Sequence, residues 1–129
     1  MDAAGYYPYQ ASIDAYGNGG FRFAEMSHKG SLLCLPTGMQ AWAVTDSGEI
    51  DLDSLKPVFD AADELDVLLI GLGATGAQLP RDVREALRAS AIIAEATDTG
   101  GAIRTYNILL GERRAVGAAL IAVDRVRKP

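Results

Sequence analysis

In the first third of the chain, apolar and polar residues alternate over short runs that are separated by clusters of turn-forming residues. Such alternation is typical of half-buried β-strands, because successive side chains of a strand point to opposite faces. The glycines and asparagine at 17–20 tolerate the positive φ angles of a tight hairpin. With further turns at 27–30 and 37–38, the pattern predicts an antiparallel meander of four strands: Ser12–Tyr16, Phe21–Met26, Ser31–Pro36 and Met39–Val44.

From Asp53 onward the spacing of the apolar residues changes from two to three and four. This spacing places apolar side chains along one face of an α-helix. Asp53 is positioned to cap the predicted helix, and Pro57 is compatible with its first turn. The residues that form the apolar face are Leu55, Val58, Phe59, Ala62 and Leu65.

The rest of the chain alternates between apolar runs and helical patterns. A continuous apolar run is typical of a strand that is buried on both faces. Proline is favoured at the start of a helix, so Pro80 predicts a helix with its charged residues facing outward. Thr97–Thr99 supply caps for a second helix, which ends near Leu110. The strands predicted in this part are Asp66–Gly71, Ala91–Ala96 and Ala115–Val123.

The composition fits one globular domain, with 129 residues of which 49% are hydrophobic and 22% are charged. Residues 1–10 are expected to form a loose lead-in and residues 124–129 a tail. No apolar run approaches the roughly 18 residues that a membrane helix needs. No basic residue precedes Arg22, so neither a secretory signal nor a transit peptide is indicated. We therefore expect a cytoplasmic bacterial protein without stable membrane insertion.

The charge balance and the single cysteine narrow the chemistry further. A net charge of −5 disfavours nucleic acid as a partner, because such binding needs clustered cations. With Cys34 alone, neither an intrachain disulfide nor a cysteine cluster for metal is available. Cys34 lies within an apolar run and is predicted to be buried and unreactive.

Gly71, Gly73 and Gly76 follow an apolar run with the spacing G-x-G-x-x-G, and Glu95 follows 19 residues later. This pattern is typical of dinucleotide-binding loops, where the helix that follows begins within the motif and directs its N–H groups at the pyrophosphate. Here Pro80 disfavours an α conformation for the residue before it, so the helix is expected to begin after the glycines. The favoured interpretation is a structural loop, and a nucleotide or anion site is the alternative.

Other constellations with catalytic or metal-binding potential are weak. His28 is the sole histidine and is expected to lie in the polar turn at 27–30, which leaves no partner for nucleophilic catalysis or a transition metal. The acidic residues Asp46, Glu49, Asp51 and Asp53 do not match an EF-hand loop, because their glycine is misplaced. The sequence therefore predicts no metal site, no cofactor and no catalytic residues, and a non-catalytic role is favoured.

One group of polar residues stands out in the predicted last helix and the turn after it, namely Arg104, Tyr106, Asn107 and Arg113. These residues are the candidate binding site: Arg104 is suited to hold an anion or a partner's carboxylate, and Asn107 to tie a neighbouring loop. The favoured interpretation is internal, with Tyr106 packed and Asn107 bonded to backbone, because buried polar groups are normally satisfied within the fold.

Four ordered blocks, "YGNGGFRF", "GSLLCLPTGMQAW", "DVLLIGLGATGAQLP" and "DTGGAIRTYNILLGERRAVGAAL", resemble a small domain family of uncharacterised function. That family includes mitochondrial respiratory complex I assembly factor 3 and the adipogenesis-associated domain-containing protein, and the resemblance covers about residues 12–123. It implies a single compact α/β domain with a central mixed β-sheet flanked by helices and an extra β layer from the N-terminal meander. It also implies work in assembling or stabilising protein complexes, without catalytic residues common to the family.

Two hypotheses follow. The first is a non-catalytic protein-interaction module that resembles an assembly factor and takes part in assembling a respiratory membrane complex. A homo-oligomer is a further expectation of this hypothesis. The second is a small-molecule, nucleotide or anion-binding domain that uses the glycine loop. Thermal melting in the presence of nucleotides separates them, because a ligand that binds only the folded state raises its stability.

Overall fold

The computed structural model describes residues 1–2, 5–74 and 78–124 of the chain. The strands are β1 (Tyr6–Tyr7), β2 (Ala15–Gly17), β3 (Gly20–Phe23), β4 (Met26–Lys29), β5 (Ser31–Leu35), β6 (Gly38–Trp42), β7 (Val67–Gly71), β8 (Ile93–Thr97) and β9 (Val116–Leu120). The helices are α1 (Lys56–Asp60), α2 (Arg81–Ala89) and α3 (Thr99–Gly111), with short 3-10 helices at Ser47–Glu49 and Ala62–Glu64.

A six-stranded mixed sheet forms the centre of the molecule, with the strand order β1-β6-β5-β9-β7-β8. β7 pairs in parallel with both β8 and β9, whereas β5 pairs antiparallel with β6 and β9. β9 thus lies in the middle of the sheet, between the antiparallel and the parallel halves. The remaining strands form a separate antiparallel sheet in the order β2-β3-β4.

Both faces of the six-stranded sheet are covered, because its central strands alternate their apolar side chains between two cores. Leu68 and Ile70 of β7 pack with the apolar residues of α1 and α2 on one face. Val67 and Leu69 pack on the other face with α3 and the three-stranded sheet. The predicted α/β domain with a central mixed sheet, flanking helices and an extra β layer is therefore confirmed.

The N-terminal meander differs from the prediction, because it divides between the two sheets and turns at another place. Residues 27–29 of the predicted turn lie in strand β4, and the chain reverses instead at Ala24 and Glu25, whose φ angles are 49° and 61°. A two-residue hairpin loop of type I′ needs positive φ at both positions, and alanine and glutamate do not signal it. The first predicted strand is also shifted, since only Ala15 and Tyr16 of Ser12–Tyr16 belong to β2, which continues to Gly17.

The single helix predicted from Asp53 is broken in two. α1 spans Lys56–Asp60 and a separate 3-10 helix follows at Ala62–Glu64. Asp53 does not cap α1, whose N-cap is Leu55 without a side-chain hydrogen bond. Instead, the Ser54 N–H donates to the Asp51 carboxylate at 2.7 Å and forms a tight turn before the helix.

The last two helices agree with their predicted ends. α2 begins at Arg81 directly after Pro80, and its buried residues are Val83 and Leu87. α3 begins after Asp98, whose side chain accepts a hydrogen bond from the Gly101 N–H. Every residue of β7 and of β9 is buried, as expected for strands with a core on each face.

Candidate functional site

The glycine segment leaves the end of β7 and packs against the first turn of α3. A β-carbon added to Gly71 would lie 2.8 Å from the Thr99 Cα atom, far closer than such atoms approach. Gly73 has a φ of 95°, a conformation that favours glycine. Gly76, the third glycine of the motif, lies outside the described residues. Gly71 therefore permits close packing of α3, and Gly73 permits the bend that follows.

Thr99 is fully buried and forms hydrogen bonds with the backbone polar groups of this segment. The Gly73 N–H donates to the Thr99 hydroxyl at 3.0 Å, and that hydroxyl donates to the Ile121 carbonyl at 2.7 Å. The Thr99 N–H in turn donates to the Gly73 carbonyl at 2.9 Å. The N–H group that a phosphate would need at Gly73 is thus already satisfied within the fold.

Two further parts of the nucleotide fingerprint are displaced. α2, the helix that follows the glycines, begins only at Arg81. Glu95 lies beside Leu69 in the middle of β8, two residues short of the position opposite Gly71. These positions favour a structural role for Gly71 and Gly73.

The candidate residues of α3 divide between its buried and its exposed faces. Tyr106 is fully buried, and its hydroxyl donates to the Ala11 carbonyl at 2.7 Å. The Asn107 side chain accepts from the Ile13 N–H and donates to the Ile13 carbonyl, both at 2.9 Å. Together the two side chains attach the segment before β2 to the helix.

Tyr106 lies over the central sheet close to Cys34, which is fully buried in β5. Burial raises the pKa of the Cys34 thiol far above its ordinary value, so the thiol stays protonated at neutral pH. Burial also raises the pKa of the Tyr106 hydroxyl. The expectation of a buried Cys34 is confirmed, and neither group has the depressed pKa that nucleophilic reactivity requires.

Arg104 and Arg113 are exposed and lie apart from the buried pair. Arg104 makes no ion pair with any residue among 1–2, 5–74 and 78–124. Arg113 has a φ of 62° and stands just beyond the end of α3. Its N–H donates to the Leu110 carbonyl, and the Arg114 N–H donates to the Leu109 carbonyl, which completes a Schellman motif.

The other titratable residues have structural surroundings. His28 lies in β4 and not in a turn, with its Nε2 atom 3.0 Å from the Ser31 carbonyl. Asp46 and Glu49 form a capping box, and hydrogen bonds from Thr45 and Asp46 hold the pKa of Glu49 below its ordinary value. In the part of the chain that the structure describes, no group of three or more acidic, histidine or cysteine residues is placed to hold a metal ion.

Two features of the structure were not predicted from the sequence. Arg84 and Arg88, charged residues of the predicted outer face of α2, lie beside the open edge of β8, where Ile93 is 65% exposed. Buried Thr99 bonds the backbone of the glycine segment. The spacing of Arg84 and Arg88 by four residues was the available signal, but the order of the strands was needed to interpret it.

The fold is that of an α/β domain whose mixed sheet is covered on both faces. The buried polar side chains of the candidate site form hydrogen bonds between segments of the chain. A family model described as a protein of unknown function (DUF498/DUF598) matches residues 13–121, and the chain belongs to this family. No helix within the described residues is long and apolar enough to cross a membrane.

Curated relatives include bacterial and animal proteins. An uncharacterised protein of Rhodobacter capsulatus is 41% identical over 109 residues, which cover 84% of this chain and 82% of the relative. NADH dehydrogenase (ubiquinone) 1 alpha subcomplex assembly factor 3 of Danio rerio is 32% identical over 109 residues, covering 84% of this chain and 63% of the relative. The chain thus spans about three fifths of the length of the animal relatives that it matches.

Solved structures share the fold over nearly the whole chain. A Rhodopseudomonas palustris protein is 52% identical with a TM-score of 0.82, covering 95% of this chain and 91% of that chain. A Bartonella henselae protein, described as an outer membrane protein, is 44% identical with a TM-score of 0.87 and coverages of 91% and 98%. A Bordetella pertussis structure described as an Mth938-like domain is 26% identical with a TM-score of 0.78 and coverages of 89% and 87%.

Proposed function

We propose that this chain is a non-catalytic protein-interaction domain that helps to assemble or stabilise a respiratory membrane complex. The observation that carries the proposal is its similarity, over most of the chain, to proteins named as assembly factor 3 for NADH dehydrogenase. The hydrogen bonds of Tyr106 and Asn107 within the fold support the proposal. Because these two side chains hold the fold together, the exposed side chains are the ones that a partner can contact.

Within this proposal, Arg104 and Arg113 are partner-contacting residues, whereas Tyr106 and Asn107 hold the N-terminal segment in place. Arginine is enriched at interface hot spots, since its planar guanidinium group can hold a carboxylate through two hydrogen bonds. Arg104 is exposed and has no ion-pair partner among the residues described, so its charge is available to a partner.

Affinity purification of the tagged full chain from its native cell tests the proposal. The expected result is enrichment of respiratory-complex subunits over an unrelated acidic bait of similar size. Arg104→Ala should reduce that enrichment, whereas Lys56→Ala, which removes an exposed cation from α1, should leave it unchanged. If no respiratory subunit is enriched with the wild-type chain, the proposed role is wrong.

Nucleotide binding at the glycine loop is not favoured by any contact described above. Thermal melting with millimolar NAD, NADP, flavin nucleotides, ATP and phosphate should show no saturable rise in melting temperature. A ligand at a hundred times its dissociation constant would stabilise the fold by about 2.7 kcal/mol, which such a measurement detects readily. A saturable rise that Gly73→Val abolishes without unfolding the domain would restore the nucleotide hypothesis.

Homo-oligomerisation and a cytoplasmic location stay predictions. Analytical ultracentrifugation at several protein concentrations measures the first, and fractionation of the native cell measures the second.

A further inference from the structure

β8 is the last strand of the central sheet, and its outer edge is open. The Ile93 N–H donates to the Asp66 carbonyl, and the Thr97 carbonyl accepts from the Leu72 N–H. Alternate residues of a parallel strand bond to the same neighbour, so Ile93, Glu95 and Thr97 direct their backbone groups at β7. The N–H and C=O groups of Ala94 and Ala96 therefore point away from the sheet, and no strand of the described chain pairs with them.

Glu95 is the one charged side chain of this edge strand, and β8 carries none of the stronger protecting features. Proteins commonly protect an edge strand with proline, lysine or a bulge, because free backbone groups attract other strands. The five residues Ile93–Thr97 contain none of these, and four of the five are exposed. Ile93 is 65% exposed, an unusual position for a β-branched apolar side chain.

One face of the edge adjoins a surface that side chains of an added strand would contact. On the α2 side, β8 borders a groove whose apolar lining includes Leu79, Leu87 and Ile92 and whose rim carries Arg84 and Arg88. The lining residues are buried or nearly so, and the two arginines are exposed. The groove is therefore apolar at its base and positively charged at its rim.

On the other face, the start of α3 lies against the end of β8. The Thr97 Cγ2 atom would lie 3.2 Å from a β-carbon added to Gly101.

The charges around the edge favour an acidic occupant. Arg84 and Arg88 make no ion pair within the described residues, whereas Arg81 and Lys56 each pair with an acid four residues later. Glu95 is the one acidic residue of β8. Two arginines without an ion-pair partner in the described residues thus border an open sheet edge on a chain whose net charge is −5. A second copy of β8 would bring two such sets of arginines together, which disfavours self-pairing.

We propose that the free edge of β8 binds an extended, acidic segment of a partner protein, which adds to the central sheet as a further strand. Backbone hydrogen bonds from Ala94 and Ala96 would hold the segment, and the side chains on one of its faces would lie in the α2 groove. Its carboxylates would pair with Arg84 and Arg88. This inference names the partner class for the interaction role proposed above and rests on that role.

The probe is an acetylated, amidated decapeptide that alternates valine and glutamate, added to the ¹⁵N-labelled full chain and followed by NMR. Strand addition should slow amide exchange at Ala94 and Ala96 by at least about tenfold, because those N–H groups become hydrogen-bonded. Exchange at Glu95, which already bonds to β7, should change little. A peptide that alternates valine and lysine should not bind, and added salt should weaken binding of the acidic peptide.

Ala96→Pro removes one outward N–H group, and proline is tolerated at this position of an edge strand. It should abolish peptide binding while the melting temperature and the NMR spectrum remain those of a folded chain. Ala96→Val keeps the N–H group and should retain binding. The double variant Arg84→Gln/Arg88→Gln tests the charges separately and should weaken binding about tenfold.

Three results would overturn the inference: no binding of the acidic peptide, binding without protection at Ala94 and Ala96, or equal binding by the folded Ala96→Pro chain. Protection that rises with protein concentration in the absence of peptide would assign the edge to a second copy instead. If Ala96→Pro captures respiratory subunits as well as the wild type, the edge inference fails and the proposed function stands. If the peptide binds at the edge but no respiratory subunit is captured, the proposed function fails.

Discussion

The Asn107 carboxamide forms hydrogen bonds with both backbone polar groups of Ile13, a residue that is only 4% exposed. Asparagine carries a donor and an acceptor on one group, so a single side chain can bond both groups of one backbone residue. Tyr106 supports the same segment at Ala11. The N-terminal segment is thereby fixed to α3, although Ile13 and Asn107 are 94 positions apart in the sequence.

Asn107→Ala is expected to lower the free energy of unfolding by roughly 1–3 kcal/mol, because it leaves buried backbone groups of Ile13 without partners. Urea denaturation measures this loss. Arg104→Ala, on the exposed side of the same helix, serves as the control and should change stability by less than about 0.5 kcal/mol. If Arg104→Ala destabilises the domain as much, Arg104 is an internal brace and its proposed role in partner recognition is wrong.

Cys34 gives a prediction about alkaline pH. Burial raises the pKa of its thiol in the folded chain, whereas the unfolded thiol loses its proton near a pKa of about 8.5. Above that pH the folded state binds more protons than the unfolded state, so stability is fully present below it and falls as pH rises. The Tyr106 hydroxyl, whose pKa is also raised by burial, adds to this fall above pH ~10.

Urea midpoints of the wild type measured from pH 7 to 10 should therefore decline above pH ~8.5. Cys34→Ala lacks the thiol and should show a flatter dependence between pH ~8.5 and ~10, although its stability at neutral pH is lower. Equal slopes for the two chains would show that the thiol does not contribute to the decline.

At the scale of elements, α2 ends in a Schellman motif that has alanine where glycine is usual. The Ala91 N–H donates to the Arg88 carbonyl, and the Ile92 N–H donates to the Leu87 carbonyl. Ala91 has a φ of 60°, and the left-handed region costs a residue with a β-carbon roughly 1–2 kcal/mol. The termination of α2 therefore depends on its hydrogen bonds and on burial of Ile92, not on a favourable residue at the turn.

Ala91→Gly is expected to raise the free energy of unfolding by about 1 kcal/mol, because glycine adopts this conformation without strain. Thermal melting provides the measurement. Ala89→Gly, at the last helical residue of α2, is the matched control and should lower stability by roughly 0.5–1 kcal/mol. A loss of stability in both variants would mean that Ala91 is not strained.

The elements that the sequence predicts well have a long apolar run, or have proline or a capping side chain at one end. β7, α2, α3 and β9 meet that condition, and their predicted positions agree with the structure. The turn at Ala24–Glu25 has no sequence signal, because its conformation is imposed by pairing between β3 and β4. α1 was predicted too long, since a spacing of apolar residues does not report a break in the backbone.

The candidate site was predictable only in its local parts. The sequence predicts that Asn107 bonds to a neighbouring loop, because its polar side chain lies beside a tyrosine that is expected to be buried. The partner of that bond, Ile13, could not be inferred, because the sequence does not show which distant segment meets α3. For the same reason Arg84 and Arg88 could not be placed beside the open edge of β8 before the order of the strands was known.

At the scale of the whole molecule, stability is expected to be uneven across the sheet. β5, β7 and β9 are central strands with a neighbour on each side, whereas β1 and β8 are edges. Native-state hydrogen exchange should therefore be slowest at the paired amides of β5, β7 and β9, where opening requires global unfolding. Ala94 and Ala96 should exchange fastest within β8. Uniform protection across all six strands would contradict this expectation.

The central position of β9 also bears on how the chain matures during synthesis. β5 and β7 are made well before β9, yet each reaches its full complement of neighbours only when Val116–Leu120 inserts between them. A chain still lacking this segment on the ribosome exposes two long apolar strand edges, which favour aggregation. The domain therefore cannot fold strand by strand as it emerges, and a chaperone that shields those edges until release should raise the yield of native protein.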